Sequence, residues 1–480
     1  MIKFLKTTYL DNKVLILSFF VSILCYVAYI IFRGFGWDGD SFISASQYQK
    51  LIGSDLYGII DGGAHPKIFT VLLFGIIYQL SGGFYILTII SILLNTLMIT
   101  TIISWVRKEK GVWLIALVGI LINIPWTKIV VNCDNPAFSL PFIIFGLFYI
   151  SKDKIIEGTI YLVISSLFRS GSEFILVIIF IKQLFNLNIK NVIIIGFAIV
   201  LTAIHTYWGY LLIYPTKELF WELAWEFITT PANIAKYQYS YHAFIPYIVS
   251  IVIQLFYKYS ILFIIPAILG GIKSVKNRSA IRYILLLPVA SFLLPISSFI
   301  YGTEHTILET KHMGYTLLLP VLAAFSINNN MLNKFSAKSK NVFTIVILSL
   351  VIFFSAITGH IKHGDYETNV NGTGKIGWIN LPMIKQDVKN TFSSNKINIL
   401  TAYNYLTFAL LDVGQYAYNI DIIRKVNELD FSTINQYNLI IIPKTWKIDL
   451  KIMSDLGYMK KSNNNNSCIY FILSDTVEYN

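Results

Sequence analysis

Five polar clusters interrupt an otherwise apolar chain, and their residue types define the chemistry the sequence can offer. Trp37-Asp38-Gly39-Asp40 sets two carboxylates two residues apart. They can share a divalent metal ion, or one can act as a general base while the other orients a substrate. A glycine-containing turn whose aspartates face water is the structural alternative. Asp61-Gly62-Gly63-Ala64-His65-Pro66-Lys67 follows, with Pro66 suited to the first turn of a helix. His65 and Lys67 can bind phosphate, or they can anchor that helix at the headgroups. Asn132-Cys133-Asp134-Asn135-Pro136 offers a further carboxylate, or only a helix cap and turn.

Phe168-Arg169-Ser170-Gly171-Ser172-Glu173 separates two short apolar halves. An arginine at such a break can hold a phosphate in bidentate geometry, or it can salt-bridge Glu173 and close a hairpin. Glu304-His305 and Glu309-Thr310-Lys311-His312-Met313-Gly314-Tyr315 run into an apolar segment. Lys311, His312 and Tyr315 would there meet a substrate at a membrane surface; Tyr315 equally suits an interfacial aromatic belt. Trp378 and Trp446 read as core residues of the tail rather than sugar platforms.

The elements that must position these groups are membrane helices. The 480 residues are 55% hydrophobic and only 13% charged, with a mean hydropathy of +0.63. Soluble domains carry about 25% charged residues. Val14 to Phe32 and Phe84 to Val106 have the length needed to cross a bilayer. The net charge of +12 comes from short clusters between apolar runs, as in cytoplasmic loops facing anionic lipid. No basic stripe interleaved with aromatics points to nucleic acid. Cys25, Cys133 and Cys468 lie too far apart for a metal motif or disulfide framework. The first apolar run is too long for a signal-peptide core and reads as an uncleaved first helix.

Basic clusters at Lys3/Lys6/Lys13, Arg107/Lys108/Lys110, Lys152/Lys154, Lys182/Lys190, Lys273/Lys276/Arg278/Arg282 and Lys334/Lys338/Lys340 are expected inside. Segments 33–65, 125–136, 207–245, 301–313 and everything after 360 then fall outside. Spans are expected near 112–130, 137–150, 155–168, 173–185, 191–213, 246–270, 283–300, 314–328 and 342–359. Segments 66–82 and 84–106 join an outside loop to an inside cluster, so one of them is re-entrant or the Arg107 cluster breaks the rule. Residues 41–52 and 216–230 have the periodicity of short helices lying on the membrane surface. After 360 the composition turns polar. Strand-like runs at 397–400, 439–442 and 467–473, with helix-like stretches at 405–411 and 422–429, predict a small α/β domain.

The expected architecture is therefore mainly α: a polytopic bundle of about 11–13 helices over 1–359, with the outer loop 33–65 and an extracytoplasmic α/β domain at 360–480. The N-terminus is expected in the cytoplasm and the bundle in the plasma membrane.

In their order along the chain the clusters resemble the GT-C superfamily of membrane glycosyltransferases, which includes protein O-mannosyltransferases and aminoarabinose transferases. Asp38-Gly39-Asp40 stands where that family has an adjacent acidic pair after the first helix. His65-Pro66 matches a His/Tyr-Pro-Pro helix start, with Lys67 replacing the second proline. Asp134 matches an acidic residue after a later helix, and Lys311, His312 and Tyr315 precede Leu319-Pro320 as a late Arg-Tyr precedes an apolar Leu-Pro helix. The layout match covers roughly 1–330, and the departure to Asp-Gly-Asp leaves either aspartate as the catalytic one.

The resemblance implies a polyprenyl-phosphate sugar donor, a glycan, lipid or protein acceptor, and inversion at the anomeric carbon. Asp38 and Asp40 would be catalytic, with a divalent metal between them as an option. Asp61, His65, Lys67, Asp134, Arg169, Lys311, His312 and Tyr315 would bind substrate. Two rivals share parts of this picture: a lipid-linked saccharide transporter or flippase, and an outer-face glycan polymerase or ligase. A transporter predicts a polar mid-membrane path and internal repeats, whereas here ionisable groups collect at one face and no repeat is visible.

Overall fold

The computed structural model describes residues 13–33, 41, 44–45, 47–48, 51–52, 67–81, 84–169, 171–213, 261–291, 317–326, 337–360, 390–391, 396–401, 417–422, 429–443, 448–461 and 468–473. The protein is mostly helical with a small C-terminal sheet. It divides into two compact units: Met1–Phe35 with Lys67–Phe69 and Leu87–Ile361, and Gly36–Pro66 with Thr70–Ile86 and Lys362–Asn480.

The helices are α1 (Lys13–Arg33), α2 (Ile68–Ser81), α3 (Tyr85–Lys108), α4 (Trp113–Leu121), α5 (Ile124–Val131), α6 (Asn135–Ile150), α7 (Ile155–Phe168), α8 (Ser172–Phe185), α9 (Ile189–Ile213), α10 (Ile261–Lys276), α11 (Leu318–Ser326) and α12 (Ala337–His360). Among the described residues, Lys13–Phe32, Tyr85–Lys108 and Ile189–Gly209 are long and apolar enough to cross a membrane. Hydroxyls within the apolar helices bond back to their own backbone. In α1, Ser18 donates to the Val14 carbonyl at 2.8 Å and Ser22 to that of Ser18 at 2.7 Å, so neither hydroxyl is left unpaired.

The expected span at 112–130 is two helices. The Asn123 side chain caps α5 by accepting from the Trp126 N–H at 3.2 Å, and Pro125 occupies its first turn. A capping side chain and a proline together start a new helix rather than continue the old one. The segment expected to cross from 283 begins as a 3-10 helix over Ala280–Ser291. The expected surface helix at 216–230 lies outside the described residues. In the other expected surface helix the described residues up to Leu51 are helical and Ile52 lies in a turn; Ser41, Ser44, Ala45 and Gln47 are buried, whereas Ile52 is half exposed.

Within the helical unit, α6 packs on α7, α8 on α9, α10 on α11 and α12 on α1. Small residues make the α6–α7 approach possible. A Cβ on Gly158 would lie 2.8 Å from the Gly146 carbonyl oxygen, and Ser139 and Ser165 hydroxyls meet at 2.9 Å across the seam. Backbones come this close in apolar surroundings where glycine and serine line the contact.

The tail carries five strands: β1 (Lys396–Thr401), β2 (Ala417–Ile422), β3 (Leu439–Pro443), β4 (Tyr458–Lys461) and β5 (Cys468–Leu473), with a short helix α13 (Leu450–Asp455). Their order is β2-β1-β3-β5-β4. β1 runs parallel to β2 and β3, whereas β5 is antiparallel to β3 and β4. The central strand β3 is apolar throughout, and Leu439, Ile440, Ile441 and Ile442 are all fully buried. A strand covered on both faces reads as a continuous apolar run rather than an alternation. The helix expected from 422 to 429 is corrected at its start: Ile422 pairs with Thr401 as the last residue of β2. Residues 405–411 lie outside the described set.

Candidate functional site

Lys67 stands immediately before α2, and its side chain is only 3% exposed. Its ammonium donates to Glu173 Oε1 at 3.2 Å and to Thr206 Oγ1 at 2.6 Å. Glu173 lies in the first turn of α8, where the helix dipole favours a carboxylate. Its other oxygen accepts the Gly171 N–H at 2.6 Å. Gly171 holds φ 137°, a left-handed backbone that a side chain would strain, and this turn brings Glu173 back toward Lys67. Thr206 belongs to α9 and donates to the Thr202 carbonyl at 3.0 Å, so its oxygen is free to accept from the lysine. Residues 67, 173 and 206 are thus drawn to one point by three helices.

His205 completes the cluster. Its Nε2 accepts the Phe69 N–H at 3.3 Å, one of the N-terminal amides of α2 that no helical carbonyl can satisfy. A ring nitrogen that accepts carries no proton, so the neutral imidazole bears its hydrogen on Nδ1. That Nδ1 is buried with no hydrogen-bond partner among the described residues. An ammonium has three N–H donors, and two of those on Lys67 are engaged. Two donors therefore remain unused within one partly buried cluster, beside the N-termini of α2 and α8. This arrangement suits an oxyanion.

No known protein family matches this chain, and no curated protein matches it either. The chemistry must be read from the residues themselves.

Arg169 follows α7 in extended backbone (φ −155°, ψ 142°) and is half-buried, three residues before the helical turn that carries Glu173. Glu173, which sequence reasoning offered to Arg169, takes Lys67 as a partner. Below this break Phe168 meets Phe69 edge-on at 5.3 Å and stacks on Phe138 and Phe142 at 5.4 and 5.9 Å. These rings form an apolar floor under the polar cluster.

Asp134 is 1% exposed. It occupies the position before α6, yet its side chain makes no capping bond, so capping does not explain it. The turn that presents it is tight. Asp134 N–H donates to the Ile129 carbonyl at 3.2 Å and Cys133 N–H to that of Val130 at 3.4 Å, with Cys133 at φ 61°. This is a Schellman closure with cysteine in the place glycine usually takes. A non-glycine residue held there costs about 1–3 kcal/mol.

Asp38, Asp40, Asp61, His65, Lys311, His312 and Tyr315 lie outside the described residues. Among the described residues no group of three His, Cys, Asp or Glu side chains could hold a metal ion. Sequence reasoning named Lys67 and the Arg169–Glu173 break but missed His205 and Thr206. The available signal was a histidine within the apolar run of α9, since an ionisable group there is costly and functional by default.

Proposed function

We propose that this chain is a membrane glycosyltransferase of the kind its clusters resemble, a polytopic bundle in the plasma membrane. It moves a sugar from a polyprenyl-phosphate-linked donor to a glycan, lipid or protein acceptor at the outer face. The observation that carries this reading is the pair of unused donors, the third N–H of Lys67 and His205 Nδ1–H, at two converging helix N-termini. A donor phosphate supplies the acceptor atoms these groups lack.

The chemistry follows from charge. An aspartate, Asp38 or Asp40, accepts the proton of the acceptor hydroxyl as its oxygen bonds to the anomeric carbon. The bond from that carbon to the phosphate oxygen breaks, inverting the centre. The phosphate departs with the electron pair, and fixed donors stabilise the charge as it develops. On this reading Lys67 and His205 supply such donors, with Arg169 at the end of α7 as a further cation.

Transfer from a labelled lipid donor, measured with purified protein in detergent, tests the proposal, since transport cannot be scored there. Asp38→Asn or Asp40→Asn should lower turnover by about 10²- to 10⁴-fold with expression intact. Arg169→Lys should weaken donor use, because a point charge does not reproduce the planar fork. Normal turnover in both aspartate variants would remove the outer loop from catalysis and end the glycosyltransferase reading.

A further inference from the structure

A second group of cations lies where α3, α6 and α7 end or begin. Lys108 closes α3, and Lys152 and Lys154 occupy the turn between α6 and α7. Lys152 Nζ sits 3.7 Å from the centre of the Phe148 ring, with Lys108 at 5.8 Å from the same ring. Lys154 lies 5.8 Å from the Tyr149 ring. The Lys108 and Lys152 ammoniums thus gather at one ring and repel each other as like charges. Both are donors only, so neither can satisfy the other. Among the described residues the acidic group in ion-pair range of the three is Glu157, 3.9 Å from Lys154 on an exposed edge.

We propose that this cluster binds the phosphate of an anionic membrane lipid. Aromatic faces hold the lysine stems and ammoniums together at an energetic gain that falls short of cancelling the repulsion between like charges. A phosphate between them supplies shared acceptors and reverses that repulsion. Partial burial, with Lys108 and then Lys154 adding to it, depresses the Lys152 ammonium to a pKa of about 8. A bound phosphate would raise it again.

A lipid fits better than a soluble anion because apolar surface adjoins the charges. Ile156 and Ile160, in the first and second turns of α7, are 39% and 53% exposed. A headgroup on the lysines would lay its chains along that face. Basic residues at helix ends attract anionic headgroups at about 1 kcal/mol each. The inference rests on the chain lying in a membrane and is independent of sugar transfer. Whether the protein needs detergent for extraction scores the membrane premise separately.

Delipidated full-length protein, reconstituted in phosphatidylcholine nanodiscs with or without phosphatidylglycerol, tests it by native mass spectrometry and thermal unfolding. Phosphatidylglycerol should be retained and should raise the melting temperature, whereas phosphatidylcholine should do neither. Lys108→Gln/Lys152→Gln/Lys154→Gln should weaken retention at least ~10-fold. Because all three side chains are at the surface, the variant should fold, and the single Lys152→Gln should give an intermediate effect. Unchanged phosphatidylglycerol retention in the triple variant overturns the proposal. So does equal stabilisation by inorganic pyrophosphate in phosphatidylcholine discs, which would assign the cluster to a soluble anion.

Discussion

At the scale of single residues, the Lys67–Glu173 ion pair supports the fold and, on the proposed reading, also forms part of the site. Removing one partner of a buried ion pair leaves an uncompensated charge, whereas replacing both with apolar groups is often neutral. Lys67→Met should therefore cost about 3 kcal/mol, and Lys67→Met/Glu173→Leu should recover most of it in equilibrium unfolding. Donor affinity should be lost in both variants, because the double variant restores packing without restoring a cation. A double variant that regains stability and donor affinity together would make the lysine purely structural. The clusters around 67, 134 and 169 were legible because charged residues stand out against apolar runs. His205 and Thr206 were not, since a single histidine within a helix gives no spacing signal. Only the fold shows that it faces the start of α2.

At the scale of elements, apolar periodicity located most helices but not their breaks. The gap between α4 and α5 was marked by Asn123 and Pro125, residues that a hydropathy window averages away. In the tail, β1, β3 and β5 were legible from dense apolar runs. β2 and β4 were not: Ala417–Ile422 carries Asn419 and Asp421, and Tyr458–Lys461 ends in two lysines, as suits the two edges of the sheet. The α6–α7 seam was also invisible, because a glycine matters there only through what opposes it. A Cβ on Gly158 would meet the Ile150 side chain and the Gly146 carbonyl, whereas one on Gly196 of α9 would lie 3.3 Å from the Phe180 ring alone. Gly158→Ala should destabilise by about 1–3 kcal/mol through overpacking. Gly196→Ala should cost less, since alanine gains up to about 1 kcal/mol in helix propensity. Comparing the two unfolding midpoints checks the seam, and equal shifts would show that α6 and α7 do not depend on it.

At the scale of the whole molecule, polar contacts within the helical unit sort by helix end. Lys67, Glu173 and Thr206 meet at one set of ends, all of which the basic-cluster rule assigns to the outer face. Lys108 and Lys152 share the Phe148 ring, Lys182 donates to the Tyr283 hydroxyl at 2.6 Å, Ser279 donates to Glu109, and Lys273 donates to the Phe325 carbonyl at 2.9 Å. All of these belong to segments the same rule places inside. Charge bias and side-chain contact are independent kinds of information, and a wrong alternation would pair inner segments with outer ones. Their agreement supports the grouping of these helix ends into two sets, and the charge rule then sets the expectation that the N-terminal set is cytoplasmic and the Lys67 set outer. By the same charge rule the tail beyond 360 is expected outside. Ser462→Cys, in a background where Cys25, Cys133 and Cys468 are serine, should react with an impermeant maleimide on intact cells. A cysteine at Asp153, in the turn beside the lysine cluster, should react only after permeabilisation. The reverse pattern would invert the bundle and put the Lys67 cluster on the cytoplasmic side, where an extracytoplasmic acceptor could not reach it.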